Sequence, residues 1–227
     1  MSITPARLAA MIDHTNLRPD ATKQDFVRLC EEAQTHGFAM VAINPYPVAQ
    51  CADLLRGSGV HIGAAIGFPL GQVTIEDKVS ETRNAIANGT DEIDYVINIT
   101  ELKAGNLSYI EREMQAIVDV ARSSAVTTKV IFENCYLTDE EKRAVAEVAV
   151  RVRPDFVKTS TGFGSRGATL ADVQLMKECV GDAVQVKAAG GIRTLDAALS
   201  FIAAGATRIG TSRGVDLIAQ LEARSGL

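Results

Sequence analysis

Apolar positions along the chain follow two alternating rhythms. Phe26, Leu29, Cys30 and Ala33 share one helical face, as do Val48, Cys51, Ala52 and Leu55. Ile110, Met114, Ile117, Val118 and Ala121 form a third stripe, and Val145, Val148, Ala149 and Val152 a fourth. Each stripe predicts a helix with one face wide enough to cover a sheet. Hydroxyl residues followed three positions later by an acid predict the helix starts: Thr22/Asp25, Thr74/Asp77, Ser108/Glu111, Thr138/Glu141 and Thr169/Asp172. Gly37, Gly59, Gly89, Gly181 and Gly205 predict the stops.

After each stop comes a short run rich in Val, Ile and Ala. Seven are clear: Ala39–Ile43, His61–Ile66, Glu92–Ile97, Lys129–Glu133, Phe156–Thr159, Val184–Ala188 and Arg208–Thr211, with a weaker eighth at Ala10–His14. Most lack polar alternation, which fits parallel strands covered on both faces. The eight units recur on average about every 28 residues, a spacing that favours a closed (β/α)8 TIM barrel over an open doubly wound sheet. The predicted fold is α/β: one barrel domain spanning 1–227, preceded by a short additional N-terminal helix.

Composition narrows the function classes. The 227 residues carry a net charge of −5, which argues against a nucleic-acid partner. No apolar stretch is long enough to span a membrane, and the first fifteen residues lack the basic-then-apolar pattern of an export signal. Cys30, Cys51, Cys135 and Cys179 are scattered without metal-ligand spacing, so free thiols in a reducing cytoplasm are expected, with no metal.

In such a barrel the chemistry belongs at the C-terminal strand ends, and these ends are unusually polar here. Lys158 and Lys187 close neighbouring predicted strands and should meet in the mouth. Two ammonium groups in a partly desolvated pocket lower at least one pKa, leaving the free amine that Schiff-base formation requires. Asp94 either moves protons or orients a lysine, and Glu133 is expected to support a lysine. Lys129, which opens a strand, is expected to reach solvent at the barrel bottom. Asp13 and Thr15 are candidate contacts for substrate hydroxyls, whereas His14 reads as a packed core histidine. Glycine loops after the last three strands supply the ingredients of a phosphate cradle: Thr161-Gly162, Gly190-Gly191 with Arg193, and Gly210 with Ser212 and Arg213.

Phe156-Val157-Lys158-Thr159-Ser160-Thr161-Gly162-Phe163 resembles the Schiff-base motif of the deoxyribose-phosphate aldolase family. Ile12-Asp13-His14-Thr15, Ile66-Gly67-Phe68-Pro69-Leu70-Gly71, Glu92-Ile93-Asp94-Tyr95-Val96-Ile97-Asn98, Lys187-Ala188-Ala189-Gly190-Gly191-Ile192-Arg193 and Ile209-Gly210-Thr211-Ser212 extend the likeness over nearly the whole chain. The resemblance implies reversible cleavage of 2-deoxy-D-ribose 5-phosphate to acetaldehyde and D-glyceraldehyde 3-phosphate, a step of deoxyribose phosphate catabolism. It implies Lys158 as the Schiff-base residue, Lys187 as the group depressing its pKa and Asp94 in proton transfer with water, with no cofactor. A related aldolase for another phosphorylated sugar, or a non-catalytic phosphosugar-binding barrel, are the alternatives. Departures from the family pattern include Ala42, Asn134-Cys135, Ser165-Arg166 and Arg213. A homodimer is the default assembly.

Overall fold

The computed structural model describes residues 3–226. Eight parallel strands close a barrel in simple sequential order, β1 to β8. They are β1 (Ile12–Asn16), β2 (Met40–Ile43), β3 (His61–Ile66), β4 (Glu92–Val96), β5 (Thr127–Ile131), β6 (Phe156–Lys158), β7 (Gln185–Ala189) and β8 (Arg208–Thr211). The short N-terminal helix α1 (Pro5–Ala9) precedes β1. Around the barrel run α2 (Lys23–His36), α3 (Val48–Leu55), α4 (Ile75–Ala87), α5 (Ile99–Lys103), α6 (Leu107–Arg122), α7 (Asp139–Val152), α8 (Leu170–Val180), α9 (Leu195–Ala203) and α10 (Gly214–Ser225). No helix among the described residues is long and apolar enough to cross a membrane.

The predicted caps act as expected at four of five starts. Thr22 and Thr138 form full capping boxes with Asp25 and Glu141, and the hydroxyls of Thr74 and Thr169 accept from Asp77 and Asp172 amides. The fifth differs. Asn106, not Ser108, caps α6, because its Oδ1 accepts from the Tyr109 amide while Ser108 Oγ itself donates to that oxygen. β1 begins two residues later than predicted, since Ala10 closes α1 in a helical conformation. β5 ends at Ile131, and Glu133 turns away with a left-handed φ of 56°.

The absence of alternation in the strands conceals a division between the two barrel faces. Ile93 and Tyr95 of β4, Val130 of β5, Val157 of β6 and Val186 of β7 join the apolar layer under the helices. The residues between them point to the axis, and many are charged: Glu92, Asp94, Lys129, Lys158 and Lys187, with Asp13 and Arg208 from the flanking strands. Barrels of this kind ordinarily fill their interior with branched apolar side chains. This one fills much of it with ion pairs.

Candidate active site

Strand register assembles the charged interior. Asp94 of β4 is the direct partner of Lys129 of β5, and Lys158 of β6 is the partner of Lys187 of β7. Residues paired across parallel strands point the same way, so each pair meets inside the barrel. Lys158 Nζ and Lys187 Nζ both donate to Asp94 Oδ2 at 2.6 Å. Lys129 Nζ donates to the other oxygen, Oδ1, at 2.9 Å and also contacts Glu92. Lys187 has a second acid in Asp13, which in turn accepts from Arg208 Nε at 2.8 Å. Arg208 also reaches Glu92, and His61 Nδ1 lies 2.7 Å from the same carboxylate.

This corrects the expectation for Lys129. It is fully buried and ion-paired, because its register with Asp94 turns it inward. Asp13 is likewise wholly buried, a counter-ion for Lys187 and Arg208 with no surface on the cavity. Glu133 makes no direct ion pair with a lysine among the described residues, although the Lys158 charge acts on it from a distance. Its oxygens accept the Thr161 amide at 3.2 Å and hold the Thr161 hydroxyl.

Charge balance singles out one base. Three carboxylates, Asp13, Glu92 and Asp94, face four bases, Lys129, Lys158, Lys187 and Arg208. Lys129, Lys187 and Arg208 each touch two of the acids. Among the described residues Lys158 touches one, at an oxygen it shares with Lys187. Burial lowers the Lys158 pKa to about 8, with the Lys187 and Lys129 charges adding to the effect and Asp94 opposing it. Lys129 is also desolvated, yet Asp94 and Glu92 more than offset this and keep it cationic. Burial pushes the Asp94 carboxyl up, but three lysine charges outweigh it and hold the group well below the usual carboxylate range. Of the four bases, Lys158 has the fewest acid contacts and is the one whose pKa is pushed down, so it is the one that most readily yields a free amine.

Above this floor opens a cavity of about 590 Å³. Thr15, Lys158, Thr161, Gly162, Gly190, Gly191, Arg193, Gly210 and Ser212 all line it. Gly190 has φ 89° and packs so tightly that a Cβ on the facing Gly167 would lie 2.1 Å from the Gly190 oxygen. Gly210 leaves room for Lys187, whose Cε lies 3.3 Å from where a Cβ would stand. Thr211 Oγ1 donates to Ile192 O at 2.7 Å and accepts from the Arg213 amide at 2.9 Å, tying the last two loops together. Ser212 thus sits just before the N-terminus of α10, where an anion is favoured. Arg193 is exposed and has no ion-pair partner among the described residues. Arg213 does not line the cavity, since its guanidinium is held by Asp216 one helical turn on. Arg166 is drawn to Asp172. His14 is buried as expected, with Nε2 2.7 Å from Glu32, and it also forms part of the cavity wall.

Sequence reasoning did not single out Glu92, Lys129 and Arg208 as parts of the site. The signal was the alternation in Glu92-Ile93-Asp94-Tyr95, which places both acids on one face while the apolar residues take the other.

The arrangement offers an anion cradle beside a nucleophilic amine. A model of the DeoC/LacD family aldolases matches residues 7–219. A deoxyribose-phosphate aldolase of Lactobacillus acidophilus is 55% identical over 99% of this chain and 94% of its own. One from Bacteroides thetaiotaomicron is 52% identical over 100% of this chain and 95% of its own. Among solved structures, the deoxyribose phosphate aldolase from Aeropyrum pernix, described as a unique tetramer, superposes with a TM-score of 0.90 at 32% identity. That likeness covers 99% of this chain and 94% of the other.

Proposed function

The chain belongs to the DeoC/LacD family of aldolases, and from that premise we propose that it reversibly cleaves 2-deoxy-D-ribose 5-phosphate to acetaldehyde and D-glyceraldehyde 3-phosphate through a Schiff base on Lys158. The observation that carries this reading is the place of Lys158 at the cavity floor, buried, with a single acid contact shared with Lys187 and a pKa pushed down to about 8. The names of the curated relatives support the substrate.

The Lys158 amine adds to C1 of the open-chain aldehyde, and loss of water gives a cationic iminium. Asp94, 2.6 Å from the nitrogen, stabilises that charge. The O3 proton departs, the C2–C3 electron pair moves toward the iminium, and D-glyceraldehyde 3-phosphate leaves with an enamine remaining on Lys158. C2 then takes a proton, water adds to the iminium, and acetaldehyde is released with the amine restored. Asp94 is too weak a base to keep the proton, so it passes it on together with Lys187 and water. Thr161, Gly162, Gly190, Gly191, Arg193 and Ser212 hold the phosphate, and Thr15 meets the sugar hydroxyls. Lys187 and Asp13 act from beneath, without touching substrate.

The test is reductive trapping. Incubation with acetaldehyde or deoxyribose 5-phosphate, followed by borohydride and peptide mass mapping, should place the adduct on Lys158. An adduct only on Lys187, or none, overturns the reading. The same proposal includes a two-fold homodimer, decided by light scattering against the tetramer of the Aeropyrum relative. It also includes residence in the cytoplasm, which the four free thiols favour.

A further inference from the structure

Two aromatic rings in the mouth are left without a part in this chemistry. Phe68 lies in the loop after β3, and its ring centroid is 5.6 Å from Lys158 Nζ. Phe163 lies in the loop after β6 and meets Phe68 edge to face, with centroids 6.2 Å apart and planes at 88°. Phe163 also lines the cavity next to Thr161 and Gly162, so the pair stands at its wall with Phe68 set against Lys158.

Both rings stand on fixed backbone. The Gly67 amide donates to Glu81 Oε2 at 2.7 Å. The Gly71 amide donates to Gly67 O at 2.7 Å, and Gly71 packs so closely that a Cβ there would lie 2.1 Å from Ile97 O. The Phe163 amide donates to Thr161 Oγ1 at 3.0 Å, and Glu133 holds that hydroxyl in turn. Phe163 is nevertheless 52% exposed, and it lines the cavity.

Resting on the Schiff-base reading above, we propose that Phe68 and Phe163 form an aromatic wall that limits the donor aldehyde to two carbons. The phosphate end of the chain bound to Lys158 is drawn toward Gly190, Gly191 and Ser212. A substituent on the carbon beside the imine that does not lead to the phosphate runs into the rings. Acetaldehyde presents only hydrogens there, whereas propanal presents a methyl group. A packed pocket discriminates about 10–200-fold for one such carbon. The Phe68 face also attracts the iminium charge.

The experiment compares acetaldehyde with propanal as donor, using D-glyceraldehyde 3-phosphate as acceptor, in the native protein, Phe163→Ala, Phe68→Ala and Phe163→Trp. The propanal-to-acetaldehyde rate ratio should rise about tenfold or more in Phe163→Ala, rise in Phe68→Ala, and fall in Phe163→Trp. The exposure of Phe163 makes its truncation tolerable to the fold. An unchanged ratio in all three variants, with acetaldehyde still trapped on Lys158, overturns the wall and leaves the Schiff-base reading standing. Failure of the native protein to trap acetaldehyde on Lys158 overturns both.

Discussion

Lys158 and Lys187 are register partners on adjacent strands, and both donate to a single oxygen, Asp94 Oδ2, at 2.6 Å. The shared carboxylate makes their closeness tolerable, and burial with the neighbouring lysine charges makes Lys158 the one that gives up its proton more easily. Removing Lys187 as Lys187→Met leaves three acids facing three bases, so Lys158 keeps its proton. The apparent pKa of the rate-controlling amine should rise from about 8 toward that of an ordinary lysine. At neutral pH kcat/KM should fall about tenfold for each unit of rise. A pH–rate profile checks this, and an unshifted profile would refute the coupling.

The native protein should show a related dependence. Burial and the neighbouring lysine charges depress the Lys158 pKa, so the reactive amine is scarce in acid and gains as pH rises through about 8. Borohydride trapping of acetaldehyde, measured as an initial rate between pH 6 and pH 10, should follow that titration. A rate flat across this range contradicts it.

Arg193 and Arg213 should behave differently. Arg193 lines the cavity, while Arg213 is 58% exposed and held by Asp216. Arg193→Ser should raise KM for the phosphorylated substrate by about tenfold, as loss of one charge-assisted hydrogen bond implies. Arg213→Ser should change it less than about twofold, the scale of an exposed ion pair. Steady-state kinetics with deoxyribose 5-phosphate and free deoxyribose would separate the two effects.

Another buried ion pair lies outside the barrel. Lys78 and Glu113 are both fully buried between α4 and α6. Lys78 Nζ donates to Val96 O at 2.7 Å, and Glu113 Oε2 accepts the Asn98 amide at 3.0 Å, so the pair clasps the end of β4. Glu113→Ala should cost about 3–5 kcal/mol by stranding the lysine, a fall of about 6–20 °C in Tm. The double variant Lys78→Met/Glu113→Leu should recover most of that loss in a thermal melt.

The barrel itself was legible because each strand and helix announces itself through local chemistry: a threonine cap, an apolar run, a glycine stop. The lysine pair was legible because Lys158 and Lys187 both end apolar strands. Lys129 was misread because its position at a predicted strand start said nothing of register. Only the offset between β4 and β5 sets it against Asp94. Glu133 supports Lys158 only from a distance for a similar reason, since the left-handed turn after β5 aims it at Thr161. Lys78 stands among polar helical neighbours in the sequence, and nothing local reveals Glu113 opposite. What escaped the sequence was side-chain pairing between segments distant in the chain.

The ion ladder inside the barrel also constrains how this protein can change by descent. Asp13 and Arg208 are 195 residues apart in the chain, yet neither can be replaced alone without stranding a buried charge. Loss of Asp13 would leave Lys187 and Arg208 with one acid each and add a positive charge beneath Lys158. Substitutions at Asp13 and Arg208 are therefore expected to be strongly non-additive, the double variant costing less than the two single ones combined. The first and last strands of the chain, already laddered backbone to backbone, are thereby coupled a second time through buried charge.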